Sequence, residues 1–286
     1  MHNEISRYCI FFSANKAFLS CLKICLKSIV HNYWSHPDII ICYTDFSLWD
    51  LQNLQKIYDG IIFIKNDLTK YEIWPVMKHL PKEIDPKVFY ARFLLWRHKI
   101  FDNYEKILHL DADIIVTKPL DELFSIDDFL MIKESYQWED QIFISIENEA
   151  LQKKLFDDWI VIKNTAGNAW VFLLPSRYRN ENYYNQLMWI LHKYNTYIKR
   201  ADQSIINIRM YLNNLEISSQ FEYNFQHRFI VDWNHDKILR NAKIIHFNGI
   251  ADKFRILCMK FFYNLILKWK HSYPWDYRKF YNDLTK

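Results

Sequence analysis

Glycine is nearly missing from this 286-residue chain, which has three, at positions 60, 167 and 249. A phosphate loop of the G-x-G-x-x-G or Walker type needs closely spaced glycines so that backbone amides can approach the phosphates, so both are excluded. Cysteine is scarce as well: Cys9, Cys21, Cys25, Cys42 and Cys258 make an odd count, mostly inside apolar stretches. That reads as buried free thiols in a reducing compartment, not as a disulfide framework. Cys21 and Cys25 stand four apart, but no second Cys/His pair follows to complete a zinc site. The apolar segment 8–30 is interrupted by Asn15, Lys16, Lys23 and Lys27. It fits neither a signal peptide nor a membrane span, and the expected location is the cytoplasm. There is no internal repeat and no low-complexity linker, so the simplest partition is one domain over 1–252 and a tail over 253–286.

Apolar and aromatic residues, by contrast, are plentiful. Half of the chain is hydrophobic and 18% is aromatic, which supports a sizeable core and a folded α/β domain. Strands are expected at 7–14, 38–44 and 60–64, with helices at 16–31 and 47–58 between them, an order that implies parallel pairing through right-handed crossovers. A stretch with Pro75, Pro81 and Pro86 reads as a loop near a site, and 87–101 as a further helix. Later strands are expected near 129–134, 169–174 and 242–246, and helices near 147–158, 181–194 and 202–213. Charge is uneven: 253–286 holds eight Lys/Arg and two Asp, or +6, so the rest of a chain of net charge +4 carries −2. Together with ten aromatics, this makes the tail a candidate for peripheral contact with an anionic membrane. The competing reading is a C-terminal helix packed on the domain with its basic face in water. The acidic body speaks against nucleic acid.

The strongest chemical signal is "ILHLDADIIVTKP", residues 107–119. Read as one buried strand, it would point Asp111 and Asp113 to the same side, two residues apart. Two like charges that close, between apolar walls, need a shared proton, a basic side chain or a metal ion. At the carboxyl end of a strand in an open α/β sheet, paired carboxylates suit manganese or magnesium holding substrate phosphates. Arg92 offers a guanidinium for a carboxylate or phosphate, or only a stem that covers apolar surface. His246 closes a strand and enters a glycine turn, where an imidazole can be a third ligand or a buried core residue. Asp202-Gln203 opens a helix, where Asp202 is either an N-cap or a charge for a sugar carbon turning positive.

Taken in order, these residues resemble glycosyltransferase family 8. Tyr90-Ala91-Arg92 followed by residues 106–116 is similar to the family's central block. Ala14-Asn15-Lys16-Ala17-Phe18 resembles its nucleotide-contacting turn, and Asn168-Ala169-Trp170-Val171-Phe172 its Asn-Ser/Ala-Gly-Val-Phe strand. Asp202-Gln203 with Asn207 and His246-Phe247-Asn248-Gly249 match two further blocks. The resemblance implies a GT-A fold, a mixed and mostly parallel sheet flanked by helices. It also implies a UDP-sugar donor bridged by manganese to Asp111, Asp113 and His246, and transfer of a hexose with retention. Asn15 and Phe18, next to Ala14, would meet the uracil, and Arg92 the diphosphate and sugar. Ala112, Ala169, Gly249 and Lys253 would complete the donor site, with Asn168, Asp202 and Gln203 lining the sugar and the last two acting in catalysis. The acceptor is a glycan, lipid or protein, and a homodimer is left open.

Three departures bear on that expectation. Lys16 replaces an acidic residue, Trp170 replaces a glycine, and Lys253 stands one residue late. Lys16 and Trp170 keep open a catalytically inactive sugar-nucleotide binder. The paired carboxylates alone would also serve an inverting transferase or a nucleotidyltransferase.

Overall fold

The computed structural model describes residues 8–32, 37–66, 90–133, 149–161, 166–194, 196–197, 201–215, 217–218, 220–227, 236–248, 250, 252–268 and 279–284. The first 66 residues build strand β1 (Tyr8–Ala14), helix α1 (Leu19–Asn32), β2 (Asp38–Tyr43), α2 (Leu48–Gln55) and β3 (Ile61–Lys65). A short 3-10 turn, Lys16–Phe18, precedes α1 and is capped by Asn15, whose side chain accepts from the Phe18 amide. Helix α2 opens with a capping box between Ser47 and Asp50. The strands read as uninterrupted apolar runs because both faces are covered. In β1, Cys9 and Phe11 enter one core cluster while Ile10 and Phe12 enter the other.

The helix expected over 87–101 is instead two 3-10 segments, Ala91–Trp96 and Lys99–Asn103, the second capped by the His98 ring; 87–89 lie outside the described residues. Ala91 through Trp96 are all buried, so tertiary packing on every side, rather than a one-sided apolar stripe, sets the local backbone.

The segment 107–116 is not one strand. β4 (Lys106–Leu110) pairs parallel with β1, and the chain then leaves the sheet at residues 111–113. β5 (Ile114–Val116) belongs to a second sheet. After the short α3 (Asp121–Phe124), β6 (Leu130–Lys133), α4 (Glu149–Asp157) and β7 (Gly167–Pro175) return to the first sheet. Its order is β3-β2-β1-β4-β7-β6, with three parallel pairs on one side and two antiparallel pairs at the other. The β6–β7 register slips between Met131, which faces Phe172, and Ile132, which faces Asn168. Residues 169–171 of β7 therefore bulge away from β6, a device that re-aims side chains.

Helices α5 (Glu181–Tyr194) and α6 (Ala201–Leu212) cover one face of the first sheet. The second sheet, β5-β9-β8, was only partly expected: β8 (Phe225–Gln226) and α7 (Asp236–Asn241) are too short to leave a periodic signal, while β9 (Ile244–His246) falls where a strand was read. Finally α8 (Asp252–Lys268) buries Cys258, Met259, Phe262 and Leu265 against Cys21, Ile24 and Phe247. All five cysteines are free and buried. No helix among the described residues is long and apolar enough to cross a membrane.

Candidate active site

The two aspartates meet through a crossing rather than through strand alternation. Residues 111–113 carry the chain from the first sheet to the second, and each sheet pins one end. The Asp111 amide donates to the Trp170 carbonyl on β7 (3.0 Å), and the Asp113 carbonyl accepts from the Phe247 amide beyond β9 (2.9 Å). β5 runs antiparallel to β9 with Ile114 opposite His246, which brings the imidazole to the same place. His246 Nε2 lies 3.1 Å from Asp113 Oδ1 and 4.0 Å from Asp111 Oδ2. One ligand atom from each of the three residues lies within 4.8 Å of the others.

The surroundings fit a divalent cation. His246 Nδ1 faces Asn224 Oδ1 at 3.1 Å. If that nitrogen donates to the amide oxygen, the proton is fixed there and Nε2 presents a lone pair toward the carboxylates. Two carboxylates and a neutral imidazole are the donor set of manganese or magnesium with open positions left for phosphate oxygens. Residues next to the cluster balance part of its charge: Arg255 Nε is 3.5 Å from Asp113 Oδ2, and Arg92 pairs with Asp111.

Arg92 is the hinge between this cluster and the helix α6. Its guanidinium donates to Asp111 and to Asp202, and all three side chains are largely enclosed. One cation thus serves two carboxylates. Arg92 holds Asp111 below the usual carboxylate range despite its burial. Asp202 goes the other way: burial, opposed by Arg92 and reinforced by the Asp111 charge, pushes it up to about 6. Asp202 is the second residue of α6, with its carboxylate spent on Arg92. Beneath Asp111, His109 is wholly buried, with Nδ1 3.2 Å from the Phe11 carbonyl, and burial lowers it to about 4, so it is neutral.

Next along α6, Gln203 Oε1 accepts from the Ala169 amide at 3.4 Å. Asn207 accepts from the Gly167 amide and donates to the Gly167 carbonyl, tying α6 to the start of β7. Asn168 is fully buried; its Oδ1 accepts from the Trp170 amide, and its Nδ2 has no partner among the described residues. An unpaired buried donor at this point is a ready contact for a sugar hydroxyl. Trp170, lifted on the β7 bulge, sets its ring edge-to-face with His246 at 4.7 Å.

Asp111, Asp113, His246, Arg92 and Asp202 form one connected cluster, with Ala112 buried inside the turn. Gln203, Ala169 and Asn168 line up beside it on α6 and β7. Ala14 ends β1, Asn15 caps the turn that follows, and Phe18 reaches the cluster through Arg255, which lies 5.4 Å from its ring. Gly249 and the side chain of Lys253 lie outside the described residues. Lys16 pairs with Asp50 at 3.6 Å, and its amide donates to Asp45. Arg255 and Asn224 escaped the sequence reading. Arg255 stands two residues past Lys253 on α8 and lies against Asp113.

The model of glycosyl transferase family 8 matches residues 9–254. The chain belongs to that family. A Haemophilus influenzae protein named "Putative glycosyltransferase" is 29% identical over 133 residues, which is 46% of this chain and 38% of that protein. Among solved structures, galactosyltransferase LgtC in complex with donor and acceptor sugar analogues superposes with a TM-score of 0.66 at 17% identity, covering 92% of this chain and 95% of that one. The WbbM bifunctional glycosyltransferase gives 0.65 at 17% identity over 94% of this chain, which spans 50% of WbbM. These likenesses show the GT-A fold, and family 8 membership supports a role in glycosyl transfer.

Proposed function

We propose that this chain is a retaining, manganese-dependent hexosyltransferase that moves a hexose from a UDP-sugar to a hydroxyl of a glycan, lipid or protein. The observation that carries the reading is the Asp111–Asp113–His246 donor set joined through Arg92 to the buried carboxylate of Asp202. Asp111, Asp113 and His246 would hold the ion; bound there, manganese supplies Lewis-acid stabilisation to the departing diphosphate. Asn15, Phe18 and Ala14 would receive the uracil at the end of β1. Arg92 and Arg255 add positive charge for the phosphates, Arg255 in the part expected of Lys253. Asn168 Nδ2 donates to a sugar hydroxyl, which orients the ring.

Asp202 and Gln203 would then face the anomeric carbon. A carboxylate at about 6 is mostly ionised at neutral pH, and in a dry site its charge acts strongly on a centre turning positive. The acceptor hydroxyl attacks on the face the UDP leaves, which preserves configuration. A panel of UDP-sugars with manganese, read as UDP release, tests the transfer, and the anomeric configuration of the product tests retention. Release that persists unchanged in excess chelator contradicts the reading.

A second reading rests on Trp170, whose ring stands against His246 where a bulky side chain restricts the sugar. It makes the chain a sugar-nucleotide binder without turnover, and it expects UDP binding with no release from any donor.

A further inference from the structure

Helices α4 and α6 end in the same backbone cap with opposite choices of residue. At the end of α6, the Leu215 amide bonds to the Met210 carbonyl (2.9 Å) and the Asn214 amide to the Tyr211 carbonyl (3.1 Å), with Asn214 at φ 53°. At the end of α4, the Ile160 amide bonds to Leu155 (2.9 Å) and the Trp159 amide to Phe156 (3.0 Å), with Trp159 at φ 60°. Both are Schellman caps, whose left-handed position belongs to glycine or asparagine. Asn214 follows that rule, whereas Trp159 places a bulky side chain in a backbone conformation that disfavours it.

The strained tryptophan is not buried in return. Trp159 is 92% exposed, and Phe156 and Val161 beside it are each 78% exposed. The base of the turn is fixed by Leu155 and Ile160 in the core. Two basic side chains stand beside it: Lys154 and Lys193 flank Asp158 at 3.7 and 2.8 Å, and Lys193 also covers the half-exposed Trp189 ring at 4.6 Å. Lys153, Lys154 and Lys193 against Asp157 and Asp158 leave a local charge of +1.

We propose that Phe156, Trp159 and Val161 form a membrane-docking knob that inserts into the headgroup layer of an anionic lipid surface. A tryptophan with two apolar neighbours and Lys154 and Lys193 close by matches the boundary between hydrocarbon and charged headgroups. A second copy of the chain fits the knob less well. A stable dimer needs roughly 800 Å² from each partner, whereas two aromatics contribute about 150–250 Å² apiece and the valine less. This contact is distinct from the basic segment 253–286 and does not depend on the transferase reading.

The experiment uses the full chain with vesicles of phosphatidylcholine alone and of phosphatidylcholine with phosphatidylglycerol, separated by sedimentation at low and high salt. The variants are Trp159→Gly and Trp159→Gly with Phe156→Ser. Glycine accepts φ 60°, so Trp159→Gly is expected to keep or raise the melting temperature, and a loss of binding cannot then be blamed on unfolding. The knob predicts wild-type binding to the anionic vesicles and a drop of about tenfold or more in Trp159→Gly, the scale for losing one large apolar side chain, with a further drop in the double variant. Absent wild-type binding overturns the proposal. So does binding that both variants retain, which assigns it to another segment. A wild-type dimer that the same variants dissociate gives the knob to a second copy and overturns it too.

Discussion

Two arginines are buried to the same depth in this molecule and live in opposite company. Arg92, 2% exposed, lies between Asp111 and Asp202; Arg209, 0% exposed, lies between the rings of Tyr183 (4.2 Å) and Trp96 (5.4 Å). Among the described residues, none of the Arg209 guanidinium nitrogens has a hydrogen-bond partner. Burial lowers Arg209 to about 10, which still leaves it charged at neutral pH. Burial works against Arg92 as well, but the two carboxylates more than reverse it and raise Arg92 above its ordinary value. Both stand on the same system of packing, since Asp202 and Arg209 are seven residues apart on one face of α6. The difference lies in what the charge organises. Arg92 holds two elements and two carboxylates in one arrangement, while Arg209 lies against two ring faces. A buried charge marks a working site when its partners are themselves poised groups.

Removing the charge in each place separates them most sharply. Arg92→Met strands Asp111 and Asp202, and the expected loss is about 3–5 kcal/mol in urea unfolding, with transfer abolished. The next effect in size is on chemistry. Asp202→Asn should lower turnover by roughly 10²- to 10³-fold, the scale for losing one preorganised electrostatic partner, while UDP binding by calorimetry barely changes.

The same carboxylate sets a pH dependence. Its native value of about 6 exceeds the ordinary 3.8, so between these values the folded protein holds a proton the unfolded chain has released. The Asp202 contribution to the stability of the metal-free protein therefore falls as pH rises from about 4 to 6, against the opposite slope of the buried neutral His109 (about 4) and His227 (about 3). The difference between wild type and Asp202→Asn isolates it. Turnover rises across the same window as Asp202 ionises. A difference between wild type and Asp202→Asn that stays flat or climbs through this range would place the proton elsewhere.

His246→Ala should weaken manganese affinity by roughly 10- to 100-fold in a direct titration, since it deletes one ligand and leaves two. The smallest effect belongs to the other arginine. Arg209→Met trades an unpaired buried charge for a thioether of similar length, and the expected change is between neutral and about 1 kcal/mol stabilising. A loss of more than about 3 kcal/mol would put Arg209 in the same class as Arg92.

The sequence was most readable where burial alone dictates structure. β1, β2 and β3 announced themselves because each is an apolar run closed by polar residues, and α5 because its stripe spans 14 residues. The site was readable as residue types, since Asp111, Asp113, His246, Arg92 and Asp202 were all singled out and all meet. Its geometry was not. Apolar character continues through 107–116 on both sides of the aspartates, so nothing in the pattern marks the passage from one sheet to the other. The bulge that lifts Trp170 is equally silent, because a register slip depends on β6, 36 or more residues away in sequence. The two-residue strand β8 owes its existence to a neighbour it meets only in the folded state. Arg209 left no signal at all: an arginine within an amphipathic helix reads as a solvated one.

The central claim is that Asp111, Asp113 and His246 form a metal site whose purpose is to hold a nucleotide diphosphate. Calorimetric titration of UDP into the wild-type chain, once with saturating manganese and once with excess chelator, tests it most directly, with Asp111→Ala as the control. That variant should stay folded, because Arg92 keeps Asp202. The account predicts UDP binding with manganese, and its loss both in chelator and in Asp111→Ala. Equal UDP affinity with and without the metal, in a folded protein, would contradict it.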